Sequence, residues 1–551
     1  MKKYHTLLVV AITVLVVALL TWILPITYYS GELIAGERVQ AGVVSTATYG
    51  LYTFYNFIYV FAGLLFVGGL YGVLNKVPAY RVLLDKLVKC VKNHKVLFLV
   101  LTVLLLSIIV AFTGFTFEML VFLPFIAAVV LLLGYDKIIA AMVTVGSVSV
   151  GVIGSLFSKP IVGKLNEVLE TTTYKDLIAI KVAILVVCAV ILILNIILKA
   201  KKSVVKETVE ESFLVPKKVT SKKVKVWPLA TIAIVATVIM VLAAIDWQGA
   251  FGVVFFDDAL TTVKAWPILS KYIILTVSVL IILYNVLTSL YKRMKAGKKD
   301  QELMSKRRKI VTIVFGVIAF LALLKIMLED VFKATQFMTK AIEAIKLDGV
   351  VSGFTFDKLF GSVAAFGSWT YNDYMLLLLL VCLAVKFAYH VKFSEVLDNL
   401  GEGFKNVLYG CFVVLLSYTV LILASGHPIG LTIIKPLLEA TKGLHIVLYP
   451  ISTLLSALFN TDFAYYEYGV LNAAYVTTAY TGNGVVPLAE FITQTMYGFA
   501  MLIAPTSVVL LFTLSLLDIK YTTWLKKVIF VILEILLVLF LSYVVLNLWV
   551  I

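Results

Sequence analysis

The sequence predicts an all-α polytopic membrane protein, with about eleven transmembrane helices and two re-entrant hairpins set out as an inverted repeat. Three observations predict it. The 551 residues are 62% hydrophobic and 14% charged, with a mean hydropathy of +1.05. A soluble core of this size does not hold so much apolar surface, so the surplus faces lipid. Runs of about 20 apolar residues recur from end to end, the length that crosses ~30 Å of hydrocarbon as a helix. Finally, the strongly basic loops all fall on one side when the runs are threaded in order, as positive-inside topology requires.

The first run, Leu7 to Ile26, follows Lys2 and Lys3 but lacks a small-residue cleavage site, so it reads as a retained span and not a signal peptide. A short mixed loop, Gly31 to Gly42, leads to a span near Leu51 to Leu74. Between Lys76 and Lys95, the cations Lys76, Arg81, Lys86, Lys89, Lys92 and Lys95 oppose the single acid Asp85, with apolar residues at helical spacing. That pattern predicts an amphipathic helix on the cytoplasmic surface. Two short apolar pieces follow, Val96 to Phe112 and Met119 to Leu133, around a polar tip, and then spans near Ile138 to Ser158 and Leu177 to Leu198. The stretch 199–226 carries nine lysines against Glu207, Glu210 and Glu211 and reads as a cytoplasmic linker.

Beyond the linker, Leu229 to Ile245 exits to the acidic loop of Asp246, Asp257 and Asp258, and Leu269 to Leu290 returns. The basic block Lys292 to Lys309 precedes a span ending near Leu328, after which the outer segment Glu329 to Asp373 carries six acids and four lysines. Spans at Met375 to Phe387 and Val407 to Ala424 lead to a second short pair, Ile446 to Phe459 and Val470 to Tyr480, and the chain closes with Leu488 to Leu511 and Lys527 to Leu548. The N-terminus is predicted inside and the C-terminus outside.

The order of parts repeats. Residues 1–198 and 374–551 each read as span, span, surface segment, polar-tipped pair (96–133 and 446–480), polar-centred span (138–160 and 488–511) and span. The intervening 227–373 contributes three spans, an odd number, which inverts the second unit. Proline at Pro160 and Pro505 predicts broken helices, tolerated at membrane depth only where protein or water covers the backbone.

Several classes are excluded or disfavoured. Cys90, Cys188, Cys382 and Cys411 match no metal or disulfide spacing, and the five histidines are scattered. No metal or other cofactor is expected, and His427 reads as a plain loop residue beside Pro428. There is no phosphate-binding G-x-x-x-x-G-K-[ST] loop, so transport would draw on gradients or exchange. The net charge of +16 sits in topological loops, so no nucleic-acid partner is expected.

Three segments together, Ala111-Phe112-Thr113-Gly114-Phe115-Thr116-Phe117-Glu118, Gly154 to Pro160, and Ile503-Ala504-Pro505-Thr506-Ser507, resemble the YfcC / anaerobic C4-dicarboxylate carrier (DcuC-like) family of the ion transporter superfamily. Gly68 to Lys76 and Tyr521 to Lys526 sit where that family has similar stretches; the middle of the chain is not distinctive. The resemblance implies an elevator-type fold in which hairpins pack on broken helices around substrate and a coupling ion, Na⁺ or H⁺. It also implies a homodimer in a bacterial plasma membrane. Two departures stand out: Lys159 where the family has asparagine, and a second hairpin tip reading Asn460 to Glu467.

The candidate substrate-binding residues are therefore Thr113, Gly114, Thr116, Glu118, Gly154, Ser155, Ser158, Lys159, Asn460, Thr461, Asp462, Glu467, Thr506 and Ser507. A carboxylate at Glu118's depth is costly unless paired or functional; Lys159 either binds a carboxylate group of the substrate or neutralises Glu118, and the pairing role is favoured. Membrane serines and threonines often bond only their own helix, and the tyrosines at 465, 466 and 468 read as an interfacial belt. The acids around one lysine point to a secondary carrier, symporter or exchanger, of an amino acid, including the basic arginine/ornithine type. A C4-dicarboxylate or other small carboxylate is the alternative. A membrane enzyme or assembly factor is more distant, since no Ser/His/Asp or H-E-x-x-H cluster appears.

Overall fold

The computed structural model describes residues 4–29, 33–169, 177–202, 211–218, 224–245, 277–282, 284–285, 309–320, 369–427, 429, 431–433, 435–436, 446–459 and 486–550. The chain divides into one unit of Met1–Gly252 with Gly367–Ile551 and a second of Val253–Phe366.

In the first unit, α1 (His5–Ile23) is followed by a two-stranded antiparallel ribbon, Thr27–Tyr29 with Leu33–Ala35, where a plain loop was expected. The expected span 51–74 is two helices, α2 (Val43–Asn56) and α3 (Ile58–Lys76), joined at Phe57. The amphipathic helix is present as α4 (Pro78–Val91), with Pro78 at its first position where a missing N–H costs nothing. It buries Ala79, Tyr80 and Leu84 and exposes Lys86 and Lys89. A single 3₁₀ turn carries it into α5 (Lys95–Thr113).

After α5 come a 3₁₀ turn at Phe117–Val121, α6 (Leu123–Leu132), α7 (Lys137–Ile153, with a π-turn at Met142–Gly146), a π-turn at Lys159–Gly163, α8 (Lys164–Val168) and α9 (Ile178–Lys202). α10 (Trp227–Ala244) completes the first part, and α12 (Tyr371–Tyr389), α13 (Phe393–Gly426), α14 (Leu448–Phe459), α15 (Val486–Ala500), α16 (Val508–Leu517) and α17 (Tyr521–Val550) make up the second. The second unit contains α11 (Lys309–Phe320) and helical residues at 277–282 and 284–285, where the Asn285 amide donates to Thr312 Oγ1 at 3.3 Å.

Eight helices among the described residues are long and apolar enough to cross a membrane. The expected span 269–290 lies mostly outside the described residues. The spans expected at 138–158 and 488–511 are interrupted, because each contains a helix break.

The surfaces fit a lipid solvent. α9 buries Lys181, Ile184, Leu185, Cys188, Ala189, Leu192, Ile196 and Ala200 along one stripe and exposes Val182, Val186, Val190, Leu194 and Leu198 on the other. In water that second face would be a liability; in hydrocarbon it costs nothing. The first hairpin has unequal arms: at 1.5 Å per residue α5 runs about 28 Å and α6 only about 15 Å.

The packing is reciprocal. α3 packs on α13, α7 on α15 and α9 on α17. α12 meets α3 as α1 meets α13; α5 meets α7 as α14 meets α15; and α9 meets α7 as α17 meets α15. The α3–α13 seam depends on small residues. A Cβ at Gly72 would lie 2.1 Å from the Asn399 carbonyl, and one at Gly403 would lie 2.2 Å from the Gly68 carbonyl. Without a hydrophobic drive between helices in lipid, such close backbone approach is what supplies the dispersion contact.

The basic linker is partly anchored. Asn75 Nδ2 donates to Phe213 O at 2.7 Å and Arg81 Nη1 to Pro216 O at 2.7 Å, with Leu214 and Val215 buried. The apolar group 213–216 was hidden among lysines in the sequence.

Candidate functional site

The site begins with a backbone accounting problem. α7 stops at Ile153, the chain turns at Gly154 and leaves helical geometry as far as Ser158, and a new helical turn starts at Lys159. Pro160 lies in that first turn, so it starts the second half of the broken helix and does not lie within the break. The break leaves the last carbonyls of α7 without helical partners. Gln494 on α15 supplies one: its Nε2 lies 3.3, 3.0 and 2.9 Å from the carbonyls of Val152, Ile153 and Ser155. On the other side, Leu156 N donates to Ala111 O of α5 at 2.8 Å, and Ser158 and Ile245 form an isolated bridge.

The second break lies between α15 and α16, at residues 501–507, and Pro505 is inside it. Its carbonyls are capped by α17: Trp524 Nε1 donates to Leu502 O at 2.9 Å and the Tyr521 hydroxyl to Ile503 O. Thr506 Oγ1 donates to Leu458 O at the end of α14 at 2.7 Å, the counterpart of the Leu156–Ala111 bond.

The same residue type opens both second halves. Ser158 Oγ accepts from Val162 N and Ser507 Oγ accepts from Leu510 N, each a side-chain N-cap. The two breaks are neighbours, since Ser149 Oγ donates to Gly498 O at 2.7 Å and a Cβ on Gly498 would lie 2.6 Å from Ile153 N. Each break is followed by a helix N-terminus, whose partial positive charge suits an anion, and the helices leading into the two breaks are in contact.

The tip of the first hairpin closes on the first break. Gly114 has φ +70°, and a Cβ there would lie 2.6 Å from Ser158 Cβ and 2.8 Å from Pro160 Cγ. Ser155 and Ser158 hydroxyls are 2.5 Å apart and fully buried. The rings of Phe115 and Phe117 rest on Tyr374 and Tyr371 of α12.

Of the expected site residues, Gly114, Gly154, Ser155 and Ser158 meet at the first break, and Thr506 and Ser507 lie in the second. Thr113 is buried and its hydroxyl donates to Ile109 O, the own-helix bond that sequence alone allowed. Thr116 N donates to Glu118 Oε2 at 3.1 Å, so the half-buried Glu118 carboxylate caps its own turn. Lys159 is exposed, and among the described residues no ion pair joins it to Glu118. The expected pairing is therefore absent, because Glu118 turns back on the hairpin tip while Lys159 opens the next helix. Asn460, Thr461, Asp462, Glu467 and the tyrosines at 465, 466 and 468 lie outside the described residues. His427, expected in an exposed loop, is 4% exposed and packs edge-on against Tyr49 at 6.2 Å.

Two charged residues beside the site were overlooked. Lys181 of α9 and Glu490 of α15 form an ion pair at 2.8 Å, with side chains 1% and 3% exposed. The signal was available: each is a lone charge inside an apolar run. What sequence could not provide was their contact across 309 residues.

No curated protein and no solved structure matches the chain. A family model described as C4-dicarboxylate anaerobic carrier (DcuC) matches residues 4–463. It covers the first break and its hairpin, and runs through the central segment that carried no distinctive motif. It ends before α15, so the motifs at 503–507 and 521–526 lie outside it. With α1 to α14 inside the match and eight helices of membrane-spanning length, the chain belongs to the C4-dicarboxylate anaerobic carrier family, a family of membrane transporters.

Proposed function

We propose that this protein is a secondary carrier of a small dicarboxylate of the C4 class, bound between the two helix breaks with one carboxylate toward each helix N-terminus. Two breaks carry this reading: their leading helices touch at Ile153–Gly498, and each break is followed by a serine-capped helix start, at Ser158 or Ser507. Family membership supports the substrate class. So does the charge at the site, where Lys159 opens the first helix start without an ion-pair partner among the described residues. The amino-acid reading rested on the acids Glu118, Asp462 and Glu467 around the one lysine, Lys159. The family match favours the small-carboxylate alternative, and a cation at the first helix start agrees with it.

In this mechanism the buried seam α7–α15, with hairpins 96–133 and 446–480, carries the substrate, and movement is driven by an ion gradient or by exchange. The reciprocal packing supports two inverted repeats, 1–198 and 374–551, with the N-terminus in the cytoplasm. Na⁺ or H⁺ coupling and a homodimer belong to the same reading.

Cysteine scanning tests the site. Single cysteines at 113–118 and 154–159 should be labelled from one side of the membrane only, and succinate should protect them. Labelling from both sides, or labelling indifferent to succinate, would refute the placement.

A further inference from the structure

The two breaks are capped by different means, and the difference singles out three residues that binding itself does not use. The second break is capped from within its own half of the chain, by Tyr521 and Trp524. The first is capped from the other half, by Gln494. Gln494 therefore sets the geometry of the first break only as well as α15 is held in rotation and height against α7. α15 is buried along its whole length, and hydroxyl bonds tie it to α14 (Thr493 with Tyr449, 2.8 Å) and α17 (Thr495 with Tyr543, 2.6 Å).

The Lys181–Glu490 pair adds a charged tie from α15 to α9, the helix against which the first break packs. Glu490 lies one turn before Gln494 on α15. Lys181 lies one turn before Leu185 on α9, and Leu185 is the residue against which Gly154 packs, its Cβ 2.4 Å from where a Gly154 Cβ would lie. Both ends of the ion pair are thus one helical turn from a contact with residues 152–155. A buried pair of this kind is weak evidence for stability, since well-packed apolar residues often replace it without loss; its best-attested use is to fix register.

We propose that Lys181 and Glu490 are positioning residues that act through Gln494 to hold the first break in its substrate-binding geometry. This rests on the reading of the breaks as the dicarboxylate site.

The test compares Gln494→Leu, the double variant Lys181→Met/Glu490→Leu and the conservative Lys181→Arg with the unaltered protein in proteoliposomes and in detergent. Removing the Gln494 amide in the first variant, or its positioning in the second, should raise the apparent KM for succinate by about tenfold, with Vmax within about twofold. The double variant, an apolar replacement of a buried pair, should keep its melting midpoint within a few degrees. Lys181→Arg should retain the KM. Hydrogen exchange in the peptide spanning the first break, measured without any ligand, should quicken by about tenfold in the first two variants and not in the third.

A double variant with unchanged KM and unchanged exchange at the break would overturn the proposal and leave the pair a packing feature. If the unaltered protein carries no C4-dicarboxylate, the substrate reading fails by itself, and the ligand-free exchange still decides whether the pair positions the break.

Discussion

The contact between the hairpin tip and the first break makes Gly114 the most sensitive single position in the account. Replacing it with alanine asks an L-residue to adopt φ +70° and puts a methyl group 2.6 Å from Ser158 Cβ and 2.8 Å from Pro160 Cγ. The left-handed backbone costs about 1–2 kcal/mol and the overlap in a well-packed interior about 1–3 kcal/mol, together about 2–5 kcal/mol. Ser158 is an N-cap and Pro160 is held in the first helical turn, so the hairpin tip gives way. At 1.4 kcal/mol per factor of ten, succinate affinity should fall by at least ~30-fold. The assay is concentration-dependent uptake in proteoliposomes, with Gly401→Ala as control. Nothing lies within 4 Å of a Cβ at Gly401, and in a helix that change should be neutral or stabilising by up to ~1 kcal/mol. A Gly114→Ala protein with native affinity would refute the claim that the tip closes the site.

Other outcomes follow from the same geometry. Glu490→Gln leaves Lys181 buried without a counter-ion and should lower stability by about 3–5 kcal/mol, read as a large drop in melting midpoint in detergent. Trp524→Phe removes the donor to Leu502 O and should cost about 1–3 kcal/mol, with the second break exchanging its amides faster. Gly72→Val places a branched side chain against the Asn399 carbonyl and should separate α3 from α13, seen as loss of monodisperse protein on size exclusion. Of the four cysteines only Cys90, on α4, is exposed, so a native maleimide titration should modify one thiol, and in oriented vesicles only from the cytoplasmic face.

Much of the architecture was legible because bilayer physics writes long signals. A run of 20 apolar residues, a basic loop or a lysine-rich surface helix survives translation into structure with little dependence on tertiary contact. Gly154 to Pro160 and Ile503 to Ser507 were legible for the same reason: proline, glycine and serine mark breaks locally. Where Gly114 would pack, and which residue would cap each break, depended on tertiary contacts, the Gln494–Ile153 bond spanning 341 positions. Gln494 and Glu490 sit in a polar stretch of α15 that reads as ordinary helix until α7 and α9 are placed beside it. Glu118 shows the converse: a nearby cation suggested a pair, but its own turn offered a backbone N–H at 3.1 Å.

The family match stops at residue 463, while the proposed site needs α15 and α16 as well as α7. The most direct measurement is therefore transport itself, by the unaltered protein and by Ser158→Ala/Ser507→Ala, in proteoliposomes under an imposed ion gradient or with internal dicarboxylate for exchange. Labelled succinate should be taken up in competition with fumarate and malate but not arginine, with a lower affinity when both N-caps are removed. Uptake of arginine with C4-dicarboxylates inert, or succinate uptake indifferent to loss of both serines, would contradict it.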